Sequence, residues 1–199
     1  MLVPENITGL ILAGGAGRRV EGQDKGLLSY KGEILIERQI NWLKPQVASL
    51  MISANRHVEH YSKFGYPVIT DEPLTSDGST IKGPTFEGPL RGIYQGLLHC
   101  KTPWLFIQPI DTPCLPNDLL QQLIDKTSPS GDCYYLRTTE RAHYLSMLIR
   151  SSMKSTLKEF IQLGNPRVRD YHQLIDSRPI DLGISEAQFK NLNHIPDYH

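Results

Sequence analysis

An apolar run over residues 9–13 breaks into Gly14, Gly15 and Gly17, then Arg18 and Arg19, Gly22, and the tripeptide Asp24-Lys25-Gly26. Successive backbone N–H groups in a glycine-rich turn make an anion cradle, because no Cβ blocks the approach of phosphate oxygens. Arg19 and Lys25 add full positive charges on either side, and a lysine is a mobile point charge suited to a polyphosphate. Two familiar phosphate loops fail here. A Walker loop needs G-x-x-x-x-G-K-[ST], whereas Asp24 precedes Lys25 and Gly26 follows it. The dinucleotide fingerprint G-x-G-x-x-G can start at Gly15 and Gly17, but its third position is Val20. What remains is a longer loop, L-A-G-G-x-G-x-R-x-x-G-x-D-K-G.

Further along, polar residues follow apolar runs. Ser53 and Asn55 end "ASLMISAN", Asp71 ends "PVITD", and Asp111 sits in "PIDTPCLP", where Pro109, Pro113 and Pro116 stiffen the backbone. Taken singly, an Asp or Asn after a strand is as readily a turn or capping residue as a ligand. "GNPRVRDY" offers Arg167 and Arg169, a pair that suits a phosphate or a solvated face equally. His143 follows a polar turn, where a lone histidine is more often structural than catalytic.

The elements that must hold these residues read as alternating strands and helices. Strands are expected over 7–13, 48–54, 67–70 and 103–109, with helices over 34–44 and 89–100. Ile36, Ile40 and Leu43 share one face of a 3.6-residue period. Asn117 is the expected N-cap of a helix whose Leu119, Leu120, Leu123 and Ile124 face the core. "DCYYLR" and "YLSMLIR" flank a polar turn as paired strands, and Met153, Leu157, Phe160 and Ile161 are in register for a last helix. Such alternation predicts an α/β fold, a three-layer α/β/α Rossmann-like arrangement with a mostly parallel sheet, in one domain over residues 1–199. Ligands in these sheets bind at the carboxyl ends of the strands, where each glycine- or Asp-bearing segment falls. The irregular stretch 71–89 is long enough to be either functional or a tolerated insertion.

Bulk properties narrow the classes. Lys plus Arg and Asp plus Glu both number 21 in 199 residues, which argues against the basic surplus of a nucleic-acid binder. The apolar run near the N-terminus is too short for a membrane span and lacks a basic flank. Cys100, Cys114 and Cys133 show no C-x-x-C spacing and read as reduced thiols. A cytoplasmic protein binding neither nucleic acid nor membrane is the expectation.

The loop at 12–26 resembles the signature of the sugar- and cofactor-nucleotidyltransferases, and within them that of the molybdenum cofactor guanylyltransferases, L-A-G-G-x-x-x-R-M-G-G-x-D-K-G. The likeness continues in order through "ISANRH" (52–57), "VITD" (68–71), "GPLRGI" (88–93), "PIDTPCLP" (109–116) and "FKNLN" (189–193). Val20-Glu21 stands where the family has Met-Gly, Ser53 where it often has Asn, and the 74–87 loop is longer than usual. The resemblance implies transfer of GMP from GTP to the terminal phosphate of molybdopterin, with pyrophosphate released and Mg²⁺ as cofactor. Arg19, Lys25 and Asp111 would be catalytic, with Asp111 the metal ligand. Leu12, Ala13, Gly14, Gly15, Lys25, Ser53, Asn55, Asp71, Gly88 and Asp111 would bind the nucleotide, and Arg167, Asn191 and Asn193 the acceptor. A carboxylate placed for a metal is expected to gain no partner from the fold, so its loss would hardly change stability. A monomer is expected, with transient contacts to other proteins of the cofactor pathway. Two alternatives stay open: another nucleotidyltransferase of the same fold, such as a cytidylyltransferase or sugar-phosphate nucleotidyltransferase, and a non-catalytic nucleotide-binding protein.

Overall fold

The computed structural model describes residues 2–14, 23–71, 75–76, 79–80, 88–128, 130–164, 167–189 and 191–192. Its strands are β1 (Ile7–Leu12), β2 (Ser29–Tyr30), β3 (Glu33–Ile34), β4 (Ser49–Ser53), β5 (Val68–Ile69), β6 (Thr75–Ser76), β7 (Ser79–Thr80), β8 (Trp104–Pro109), β9 (Cys133–Arg137), β10 (Ala142–Arg150) and β11 (Ser177–Asp181). The helices are α1 (Leu35–Leu43), α2 (Val58–Ser62), α3 (Pro89–His99), α4 (Leu119–Lys126), α5 (Lys154–Gln162) and α6 (Val168–Leu174). Seven strands form one sheet in the order β11-β9-β10-β8-β1-β4-β5.

β1 is buried along its whole length and pairs in parallel with β4 on one side and β8 on the other. A strand covered on both faces must be apolar throughout, which is why "ITGLIL" lacks the polar alternation of a surface strand. Ile7 and Ile11 point into the layer of α1, α2 and α4, while Leu10 and Leu12 point into that of α3, α5 and α6. α3 lies close to the sheet because Gly92 and Gly96 share the face it presents. A Cβ at Gly92 would meet the Ser53 hydroxyl, and one at Gly96 would meet Leu10 and Leu105. β2 and β3 form a tight hairpin through Lys31 and Gly32, both at positive φ, as a two-residue primed turn requires.

β10 runs antiparallel to both β8 and β9, whereas β11 runs parallel to β9. Reversal of this one strand puts its amino end, Ala142, on the edge where the other strands of the sheet finish. The polar turn 138–141 therefore joins Leu12, Ser53, Ile69 and Pro109 on a common edge.

One cap differs from expectation. The residue preceding α4 is Asp118, not Asn117, and its side chain makes no capping bond. The Gln46 side-chain Oε1, from the 3-10 turn that follows α1, instead accepts from the Leu120 amide at 3.4 Å. "GNPRVRDY", read only as a source of arginines, contains the start of α6. Most of the 71–89 stretch lies outside the described residues, within which Thr75–Ser76 and Ser79–Thr80 pair as a short antiparallel ribbon.

Candidate active site

Lys25 opens the short 3-10 turn Lys25–Leu27, capped by Asp24, whose carboxylate accepts from the Gly26 amide at 3.2 Å. The same Asp24 oxygen accepts from the Tyr61 hydroxyl at 2.5 Å. Burial and the adjoining carboxylate push the Tyr61 phenol well above its ordinary value, so it remains a donor at any working pH. A buried carboxylate oxygen that accepts both bonds fixes the turn from which Lys25 projects. The pairing of Asp24 with Tyr61 is a support for Lys25 that pattern reading missed. Only their approach across 37 positions reveals the pairing.

The Lys25 ammonium donates to the Leu192 carbonyl at 3.0 Å and lies 3.4 Å from Asp111 Oδ2. Asp111 follows β8, and its own carbonyl accepts from the Leu192 amide at 2.8 Å. Both charged side chains keep about one-fifth of their surface exposed, 20% for Lys25 and 19% for Asp111. Asp111 thus has a partner supplied by the fold, contrary to expectation. The fold places a cation beside this carboxylate, and among the described residues its Oδ1 makes no hydrogen bond.

That arrangement fits a hard divalent cation shared with phosphate. Mg²⁺ takes one or two carboxylates and completes its shell with phosphate oxygens and water. Among the described residues no group of three or more His, Cys, Asp or Glu side chains could enclose an ion. A single partly exposed carboxylate of this kind suits an ion whose other ligands are not protein side chains.

On the far side of β1, Asp71 follows β5. Asn55 Nδ2 donates to Asp71 Oδ2 at 2.7 Å, and the Asp71 amide donates to Asn55 Oδ1, also at 2.7 Å. Both ends of the Asn55 amide therefore orient Asp71. Burial raises the Asp71 carboxyl above its ordinary value, against the opposing effects of Asn55 and the Arg91 guanidinium. Asp71 Oδ1 is buried without a hydrogen-bond partner among the described residues. An acceptor left unpaired at such a cost is poised for a donor on a ligand.

The Leu12 carbonyl accepts from the Ile110 amide and the Ala13 amide donates to the Ser53 carbonyl. These bonds tie the ends of β1, β8 and β4 together and leave Gly14 exposed at the mouth of the loop. Ser53 is buried, its hydroxyl against Gly92 of α3. Gly88 is the residue before α3, in extended backbone that any residue adopts. Arg167 is exposed at the start of α6, and Asn191 lies beside Leu192 with its side-chain oxygen buried and unpaired among the described residues. Gly15, Arg19 and Asn193 lie outside the described residues. The structure thus unites Lys25, Asp111 and the 191–192 segment, and separately Asn55 and Asp71.

Gly14 beyond β1 and the Lys25–Asp111 pair beyond β8 thus stand on one edge of the sheet, with Asn55 and Asp71 beyond β4 and β5. The MobA-like NTP transferase domain matches residues 9–177. The chain belongs to this family. It is 37% identical over 198 residues to the molybdenum cofactor guanylyltransferase of Polynucleobacter asymbioticus, covering 97% of this chain and 94% of that protein. The enzyme of the same description from Serratia proteamaculans is 36% identical, over 95% of this chain and 90% of that protein. Among solved structures, molybdopterin-guanine dinucleotide biosynthesis protein A from Archaeoglobus fulgidus shares the fold, with a TM-score of 0.74 at 19% identity, covering 96% of this chain and 94% of that one. As a MobA-like transferase the chain is an enzyme, a nucleotidyltransferase. No helix among the described residues is long and apolar enough to cross a membrane.

Proposed function

We propose that the chain is a molybdenum cofactor guanylyltransferase of one domain, acting in the cytoplasm. A terminal phosphate oxygen of molybdopterin attacks the α-phosphorus of GTP. The new P–O bond forms as the bond to the bridging oxygen of the β-phosphate breaks, and pyrophosphate leaves with that electron pair. Two polyanions must meet, so the protein's work is neutralisation and alignment. The observation that carries the reading is the approach of Lys25 to Asp111, 86 positions away, at 3.4 Å.

In this reading the glycine loop and Arg19 hold the phosphates, and the Lys25 ammonium turns from Asp111 and Leu192 toward them. Asp111 would hold Mg²⁺, which when bound neutralises charge on the reacting phosphates. The Asp71 carboxylate, fixed by Asn55, accepts a hydrogen bond from the nucleoside, with Gly14 and Gly88 giving close backbone access. Asn191 and Asn193, with Arg167, face the acceptor.

The test is pyrophosphate release with molybdopterin and each nucleoside triphosphate in turn, alongside calorimetric titration of the same nucleotides. Adenine exchanges guanine's donors and acceptors, and each unpaired buried group costs about 1–3 kcal/mol, so GTP should bind roughly ten- to a hundredfold tighter than ATP. Equal affinities for the two purines, or faster release with CTP, would overturn the guanylyl assignment.

A further inference from the structure

Beyond the reacting groups, the segment that ends at Leu192 is built in a way the transfer reaction alone does not require. β11 is the outermost strand, and the chain leaving it at Asp181 must return across β9 and β10 to reach Asp111 at the end of β8. That is three strand spacings, about 14 Å. Ile184, Phe189 and Leu192 bury their side chains along the way, in the core cluster that includes α4. Apolar burial holds a segment down but is non-directional. Something must also fix how far along the edge the segment sits.

Glu186 supplies that. Its Oε2 accepts from the Thr138 hydroxyl at 2.7 Å and from His143 Nε2 at 3.2 Å, while its Oε1, buried without a well-aligned hydrogen bond among the described residues, is ion-paired with the Arg141 guanidinium at 2.5 Å. All three partners come from the turn between β9 and β10 and the strand that follows. The His143 ring also packs on Phe189, with centroids 4.3 Å apart. Burial would raise the Glu186 carboxyl, yet the Thr138 hydroxyl, His143 and Arg141 together hold it below the ordinary range. His143 is held below its ordinary value, chiefly by burial, and so presents a neutral ring that donates from Nε2. At the other end the Leu192 amide and carbonyl bind Asp111 and Lys25. Asn191, with its unpaired buried oxygen, sits between the two attachments.

We propose that Glu186 is a positioning residue for the acceptor half of the reaction: it sets the register of the 186–192 segment and thereby where Asn191 and the Leu192 carbonyl stand relative to Lys25 and Asp111. The proposal rests on the guanylyltransferase reading for its acceptor, and on the geometry alone for the clasp. Specific charge-assisted bonds fix one arrangement among several that burial would accept.

The experiment compares Glu186→Ala, Glu186→Gln and Thr138→Val with the unaltered full chain. Amide hydrogen exchange is read at residues 189 and 192, and KM and kcat are read separately for GTP and molybdopterin. Loss of charge-assisted bonds in Glu186→Ala should speed exchange at Leu192 and raise the molybdopterin KM about tenfold, with the GTP KM within about twofold. Glu186→Gln and Thr138→Val, which preserve shape, should fall between. Unchanged exchange at Leu192 in Glu186→Ala would overturn the clasp. A parallel rise of both KM values with a lowered Tm would overturn the acceptor-specific role and leave only a structural contact. Faster exchange in a protein that never forms the guanylylated product would overturn the reaction reading while supporting the clasp.

Discussion

The half of the sheet that carries β1, β4 and β5 and the half that carries β9, β10 and β11 meet at β8, and they present their side chains by different means. In the first half each candidate residue lies two positions beyond the end of a parallel strand: Gly14 beyond β1, Asn55 beyond β4, Asp71 beyond β5. Parallel strands with covering helices place consecutive strand ends on one edge automatically. In the second half the edge is made by reversing β10, and its contribution comes from a turn and a returning segment held by Glu186, Phe189 and Leu192. The edge at β1, β4 and β5, which the proposed function assigns to the nucleotide, is thus assembled mainly by topology, and the edge at β9, β10 and β11, assigned there to the acceptor, by long-range bonds to Glu186.

The sharpest way to break the comparison is at β8, where the halves join. Asp111→Asn keeps the size of the side chain and the carbonyl bonded to Leu192, but removes the charge facing Lys25. Loss of one electrostatic contact of this kind costs about 3–4 kcal/mol at the transition state, so turnover should fall roughly 10²–10³. Because the Lys25 pair is partly exposed, thermal stability should drop by no more than about 1 kcal/mol. Guanylylation rates across a magnesium series, with melts in parallel, read both effects. Near-normal turnover at ordinary magnesium would move the metal assignment to another carboxylate.

A second expectation concerns the fastened half in acid. His172 of α6 donates from Nε2 to the Tyr144 carbonyl at 3.0 Å and accepts at Nδ1 from the Ser177 hydroxyl at 2.5 Å. Burial lowers its pKa from 6.5 to about 4. A histidine depressed in the folded state contributes stability above its unfolded pKa and loses it as pH falls toward the folded one. About 3 kcal/mol should therefore disappear as pH falls from 6.5 to about 4. Urea unfolding at intervals through that window measures the loss, and His172→Gln should flatten it. An equally steep decline in the variant would show that His172 is not its source.

The smallest effect tests the nucleotide half. Burial raises the Asp71 carboxyl, so its stabilising contribution is fully present below pH 3.8 and is lost as pH rises through the raised folded value. Asp71→Asn should accordingly gain stability at neutral pH, and this gain should vanish near pH 3.8. GTP affinity should fall at the same time. A variant that is neither more stable nor weaker in binding GTP would remove Asp71 from the nucleotide site.

The two halves also differed in how openly the sequence showed them. β1, α1, α3 and β8 were legible because their apolar residues repeat at helical spacing or run uninterrupted through a doubly covered strand. Asp71 and Asp111 stood out because each follows such a run, and Lys25 because it closes the glycine-rich stretch that follows β1. β11 was not legible, since Pro179 argues against a strand interior; it is tolerated there because β11 is an edge. α6 was hidden because it is short and turns only Tyr171 and His172 to the interior. The cap of α4 was misplaced because Gln46, a residue of another element, supplies the acceptor.

The sequence by itself therefore determined the order and type of the main elements, the glycine-rich spacing after the first strand, and the carboxylates at the strand ends. These follow from local periodicity, glycine spacing and charge. Tertiary structure decided that Asp24 is held by Tyr61, that Asn55 serves Asp71, and that Lys25 meets both Asp111 and Leu192. Each of these pairings joins residues from different elements, 16 positions apart for Asn55 and Asp71 and 167 for Lys25 and Leu192. Such distances are set by sheet order, the reversal of β10 and the burial of Phe189 and Leu192, which are properties of the whole packed chain rather than of any stretch within it.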